Sequence, residues 1–147
     1  MTSPKQQFQR LDKAPNLDMD TRIARLKKLK AVIVANTDNI IEALNADYGR
    51  RCEAETRIAE IMICTAEINH TLAHIKAWAR PKVSGAGIKF MFSKNAIIPQ
   101  PLGVVGIVAP WNYPFNLAIA PLIAAVAAGN KVMLKPSEMT PKTADIL

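Results

Sequence analysis

Apolar residues first fall into a regular rhythm at Ile23, Leu26, Leu29 and Ile33, with lysines and arginines between them. Spacings of three and four put all four on one face of a helix predicted over residues 21–36. Asp18, Asp20 and Thr21 supply its N-cap and first-turn signals. A shorter helix restarts at Thr37 or Asp38, carries Ile40, Ile41 and Leu44, and stops at Gly49. The longest stripe is Ile58, Ile61, Thr65, Ile68, Leu72 and Ile75. It predicts one helix over 53–79 lying across a larger domain, ended by Arg80-Pro81. Residues 1–17 predict an extended arm, because Pro4 and Pro15 discourage helix.

After Pro81 the period changes. Gly85 and Gly87 loosen the chain, and residues 88–92 and 96–98 read as two strands of a protruding ribbon around Ser93, Lys94 and Asn95. Residues 104–108 form a short apolar run suited to a strand buried on both faces. A helix over 115–128 comes after Pro114 and is capped by Gly129-Asn130. Residues 131–134 return as a second strand, which implies a right-handed parallel crossover. Thr140-Pro141 opens one more helix as N-cap and N1. The fold class is therefore α/β: N-terminal helices plus the first βαβ part of a Rossmann-like parallel sheet, with a ribbon between them. The chain divides into three stretches, 1–82, 83–100 and 101–147. Such a sheet needs helices on both faces and covered edges, so the chain reads as the front of a larger domain. In isolation its strands around Val105 and Val132 are expected to leave it prone to aggregate.

The 147 residues are half apolar and about a fifth charged, which is globular composition. The net charge of +7 lies scattered along helix faces rather than clustered with aromatics, so nucleic acid is not the expected partner. Cys52 and Cys64 form no disulfide or metal pattern, and the polar N-terminus lacks the apolar stretch of a signal peptide. A cytoplasmic location is the default. Leu102 to Ala128 is long enough to raise a membrane span, but Pro110, Asn112, Pro114, Asn116 and Pro121 interrupt it. His70 and His74 stand four apart on the long helix without the glutamate or third ligand a metal site requires, so no metal is expected. Gly103 and Gly106 lie inside the strand rather than in the turn after it, which excludes the usual dinucleotide fingerprint.

Two loops carry the chemistry. Both come after strands whose carboxyl ends are where open α/β sheets bind ligands. Asn112 stands in the first; its amide suits either a helix cap or a donor to an oxyanion. Lys135, Ser137 and Glu138 stand in the second, as an ammonium and a carboxylate fit for phosphate or ribose hydroxyls, or as a plain surface pair.

The order Pro110-Trp111-Asn112-Tyr113-Pro114, then Ala128-Gly129-Asn130, then Lys135-Pro136-Ser137-Glu138 with Thr140-Pro141, resembles the aldehyde dehydrogenase superfamily. Asp47-Tyr48-Gly49-Arg50 followed by Glu55, and Trp78 before Pro81, extend the resemblance over 21–147. The Trp-Asn-Tyr-Pro form is most similar to the class 3 branch, which includes fatty aldehyde and bacterial coniferyl aldehyde dehydrogenases. The resemblance implies a cysteine thiolate attacking an aldehyde, hydride passing to NAD or NADP, and hydrolysis to the acid. It implies that Asn112 donates to the thiohemiacetal oxyanion and that Lys135 and Glu138 bind the adenosine ribose, with Ser137 beside them. It also implies that Val108, Ala109, Pro110 and Trp111 line the cofactor cleft and that residues 83–100 pair subunits in a homo-oligomer. The family's glycine-rich turn, catalytic glutamate and nucleophilic cysteine have no match in these 147 residues. Alone, the chain is therefore expected to be inactive. Two other readings are an interaction module that joins a longer homologue through the ribbon and a basic membrane-associated protein.

Overall fold

Ser3 opens a helix where an extended arm was expected. The computed structural model, which describes residues 3–85, 93 and 95–147, places α1 at Pro4–Asp12. Pro4 sits at N1, where its missing N–H costs nothing. Ser3 and Gln6 cap each other's backbone amides in a capping box. The proline starts this helix instead of preventing it.

Helix α2 (Met19–Ala35) begins at Asp18, whose carboxylate accepts the Thr21 N–H at 2.7 Å. That hydrogen bond holds the Asp18 carboxyl below its ordinary range. Helix α3 (Thr37–Tyr48) ends at Gly49, which takes φ 74°, a conformation that costs any residue with a Cβ. The long helix is interrupted. It runs as α4 (Glu53–Thr56), a π-helical segment (Arg57–Met62) and α5 (Ile63–Trp78). The wider π turn rotates the remainder of the helix about its axis. As a result Thr56, Glu60, Ile61, Cys64, Ile68, Thr71 and Ile75 face inward, while Ile58 is exposed and Thr65 and Leu72 only half-buried.

Strand β1 (Lys82–Ser84) pairs antiparallel with β2 (Asn95–Ile97), Val83 opposite Ala96. The second ribbon strand is thus one residue from expectation, but its partner is Lys82–Ser84. The expected strand at 88–92 lies outside the described residues.

Strand β3 (Val104–Val108), helix α6 (Asn116–Ala127) and strand β4 (Lys131–Lys135) form the βαβ unit. The strands pair in parallel from Val104 with Lys131 to Val108 with Lys135. Asn130 ties their entry ends by accepting the Leu102 and Gly103 amides at 2.7 and 3.1 Å. Strand β3 is not buried on both faces: Ile107 alone is buried and Val108 is 74% exposed. Helix α6 and α1 touch this pair, and the main core lies elsewhere, among α2, α3, the π segment, α5 and α6. Leu26, Ile68 and Ile123 are fully buried there, each contributing about 1.5–3 kcal/mol. Helix α7 (Pro141–Ile146) begins after Thr140 as expected, but the Thr140 hydroxyl does not cap it. Asp47 does, accepting from the Lys142 and Thr143 amides and the Thr143 hydroxyl at 2.7–3.0 Å. Among the described residues no helix is long and apolar enough to cross a membrane.

Candidate functional site

The register of β3 against β4 brings the two candidate loops together. Val108 faces Lys135 across the pair, and the Ala109 N–H donates to the Lys135 carbonyl at 3.0 Å. Both loops leave at the carboxyl edge. Val108, Pro110 and Trp111 stay exposed there, while Ala109 is buried.

Asn112 does not cap α6. That helix has Phe115 at its N-cap position and no side-chain cap from there, and the Asn112 side chain is exposed. Its main-chain carbonyl, by contrast, is held: Arg51 Nη1 donates to it at 3.3 Å. Tyr48 donates its hydroxyl to the carbonyl of Trp111. Burial pushes the Tyr48 phenol above its ordinary pKa, which keeps that donor protonated. The Arg51 guanidinium lies over the rings of Tyr48 and Tyr113, 4.8 and 4.9 Å from their centroids, within cation–π range.

Beneath this stack sits a charge that the helical stripe did not announce. Glu60 is fully buried, and its Oε1 lies 3.0 Å from Arg51 Nη2, whose side chain is only 6% exposed. The other carboxylate oxygen accepts the Asn116 N–H at 2.7 Å, so Glu60 caps α6 from a different helix. A negative charge there also meets the positive end of the α6 dipole. Desolvation nonetheless pushes the Glu60 carboxyl above its ordinary pKa, ahead of the opposing pull of the Asn116 amide and of Arg51. The π segment explains the placement: it turns Glu60 inward and leaves the Ala59 carbonyl to accept Asn116 Nδ2 at 3.0 Å. A signal did exist in the sequence, since Thr56, Glu60, Cys64 and Ile68 are spaced by four, but the isoleucines at 58 and 61 make the more apolar stripe.

On the second loop Lys135 Nζ and the Glu138 carboxylate form an ion pair, with side chains 60% and 79% exposed. The Lys135 hydrogen bond holds Glu138 below its ordinary pKa, so it stays an acceptor. Ser137 is buried, and its hydroxyl accepts the Met139 N–H at 3.2 Å, which shapes the turn.

The remaining candidates lie apart. His70, His74 and Trp78 stack along α5, with centroids 4.3–5.6 Å apart. Cys64 is buried beside the Asn116 amide oxygen, and burial pushes its thiol up to about 12. Cys52 is exposed. Alkylation by iodoacetamide at mildly basic pH, read by peptide mass, is therefore expected to modify Cys52 in the native state and Cys64 only after unfolding.

This arrangement matches one family. The aldehyde dehydrogenase family model covers residues 4–147. Coniferyl aldehyde dehydrogenase of Pseudomonas sp. is 37% identical over 130 residues, which make up 88% of this chain and 27% of that protein. Aldehyde dehydrogenase family 3 comG of Dictyostelium discoideum is 39% identical over 119 residues, 81% of this chain and 25% of its own. The substrate-bound AldH of Staphylococcus aureus has a TM-score of 0.92 at 34% identity, covering 99% of this chain and 32% of that one. The chain spans about a quarter to a third of the length of these relatives. Over its matched length, and in its fold, this chain belongs to the aldehyde dehydrogenase family.

Proposed function

We propose that this chain supplies the N-terminal share of an NAD(P)-dependent aldehyde dehydrogenase that oxidises an aldehyde to its carboxylic acid. The observation that carries this reading is the pairing of β3 with β4, which sets the Asn112 loop beside the Lys135–Glu138 loop at one sheet edge. Asn112 presents its side-chain amide there as a donor to the oxygen that becomes negative when the aldehyde carbon is attacked. A preorganised donor of this kind lowers the barrier because its dipole needs no reorientation as charge develops. The attacking cysteine of the family mechanism belongs to neither Cys52 nor Cys64.

The second loop fits a dinucleotide. An exposed ammonium and an ionised carboxylate side by side offer a donor and an acceptor to vicinal ribose hydroxyls. Backbone from Val108 to Trp111 would form the adjoining wall, and Ser137 would hold the turn in shape. The cofactor, once bound, supplies the hydride acceptor. Glu138 favours free ribose hydroxyls, although NADP remains within the reading. Residues 1–82, 83–100 and 101–147 would then serve as helical segment, subunit-pairing ribbon and the start of the dinucleotide-binding unit. The exposed faces of β1 and β2 support the ribbon's share in a homo-oligomer.

Replacing Glu138 by Ala in the native polypeptide, the enzyme to which this chain contributes its N-terminal share under this reading, tests the cofactor assignment. The expected result is a dinucleotide KM raised about tenfold, equivalent to roughly 1.4 kcal/mol, with the aldehyde KM unchanged. An unchanged dinucleotide KM contradicts it.

A further inference from the structure

The Asn112 main chain is gripped on both sides. Tyr48 holds the carbonyl of Trp111, which belongs to the peptide plane before Asn112. Arg51 holds the carbonyl of Asn112 itself, which belongs to the plane after it. Two planar peptides leave only φ and ψ of the residue between them. Fixing both planes therefore fixes the direction in which the Asn112 Cβ leaves the chain. Trp111 and Asn112 otherwise stand on an exposed loop, and among the described residues no hydrogen bond reaches the Asn112 side chain itself.

The grip is itself rigid. The Arg51 guanidinium lies over the rings of both Tyr48 and Tyr113, and the second of these is the residue next after Asn112. Its Nη2 lies 3.0 Å from Glu60 Oε1 in a buried ion pair that lacks hydrogen-bond geometry, and the other oxygen of Glu60 accepts the Asn116 N–H at the start of α6. Glu55 completes the cluster, 3.7 Å from Arg51 Nη2 and 3.5 Å from the Tyr113 hydroxyl. Such a buried ion pair is weak evidence for stability on its own, because desolvation offsets much of its attraction. Here it has a second use: it aims a planar donor at one carbonyl.

We infer that Arg51, seated over Tyr48 and Tyr113 and paired with Glu60, is a positioning residue that sets the Asn112 side-chain amide for its oxyanion. This inference rests on the proposed role of Asn112. Lysine cannot replace arginine in this task, because an ammonium does not lie as a plane over the two rings while holding one N–H in a fixed direction toward the carbonyl. It does keep the positive charge beside Glu60.

The test is the single-turnover rate of aldehyde-dependent nicotinamide reduction in the native polypeptide, measured for wild type, Arg51→Lys, Asn112→Ala and the double variant. Arg51→Lys is expected to slow the step about 10- to 100-fold, in line with a displacement of about 1 Å at a reacting centre. KM for aldehyde and for dinucleotide is expected to hold within about threefold, and the same substitution to cost under threefold once Asn112 is Ala. If Arg51→Lys is equally costly in the Asn112→Ala background, it acts on the fold at large and the inference is overturned. An unchanged rate for Arg51→Lys overturns it too. If Asn112→Ala is itself without effect, the proposed role of Asn112 has failed, and that outcome is distinct from failure of Arg51 alone. Tyr48→Phe keeps the packing but loses the hydroxyl, and decides the case should Arg51→Lys not fold. It is expected to slow the step in wild type and not in Asn112→Ala, and an equal loss in both contradicts the inference.

Discussion

Asn112→Ala in the native polypeptide is expected to slow aldehyde oxidation about 10²–10³-fold, the usual cost of removing one oxyanion donor. The reasoning is geometric. The Asn112 amide is not spent on capping α6, since Glu60 does that from another helix. The main chain at Asn112 is tied down while the side chain is exposed, as a preorganised donor requires. The loss should fall on the chemical step and leave the dinucleotide KM nearly unchanged, because an interaction made only in the transition state lowers kcat and kcat/KM together. Asn112→Asp is expected to be at least as slow, since a carboxylate offers no donor and repels the developing charge. Single-turnover and steady-state rates together check both statements. A loss under about threefold in both variants contradicts the assignment.

The largest expected effect on stability belongs to Glu60. Glu60→Ala leaves the buried Arg51 guanidinium without its counter-charge and the Asn116 amide without its acceptor. Breaking a buried pair from one side typically costs about 3–5 kcal/mol. Denaturant or thermal unfolding of the native polypeptide measures it, and a loss under about 1 kcal/mol contradicts this role for Glu60. The pH dependence has a defined sign. Burial raises the folded pKa of Glu60 above its unfolded value, so the folded chain holds this proton more tightly. Its contribution to stability is thus fully present below the unfolded carboxylate pKa and is lost as pH rises through the higher folded one. Glu60→Gln, which cannot titrate, is expected to flatten that part of the profile.

Much of this architecture is legible in the residues. Apolar spacings of three and four mark α2 and α3 because these helices bury a single stripe, Leu26 and Ile33 on one, Ile40 and Leu44 on the other. The βαβ unit shows itself through Gly129, which takes φ 91° just beyond α6 at a point where the Arg22 guanidinium crowds any added Cβ. The hidden features have physical causes. Pro4 reads as a breaker unless Ser3 and Gln6 are recognised as a capping box around it. A π segment cannot be seen in a regular period, so Ile58 is assigned inward although it is exposed, and the buried Glu60 is left out of the stripe. The burial of β3 depends on what packs over the sheet, and a short apolar run does not specify that.

The two candidate loops are legible for a different reason. Asn112, Lys135 and Glu138 lie within a few residues of strand ends, so a correct reading of β3 and β4 already places them at one edge. The support beneath them is not local. Tyr48, Arg51 and Glu60 precede Asn112 by between 50 and 65 positions, roughly, and only the folded chain brings them under it.

The measurement that bears most directly on the central claim is reduction of NAD or NADP by the native polypeptide carrying this sequence, monitored by nicotinamide absorbance, with coniferyl aldehyde among the aldehydes offered. The expected result is reduced nicotinamide that forms only when both aldehyde and dinucleotide are present, together with the matching carboxylic acid. A pure, folded native polypeptide that binds dinucleotide yet reduces none of it across aromatic and aliphatic aldehydes would contradict the claim.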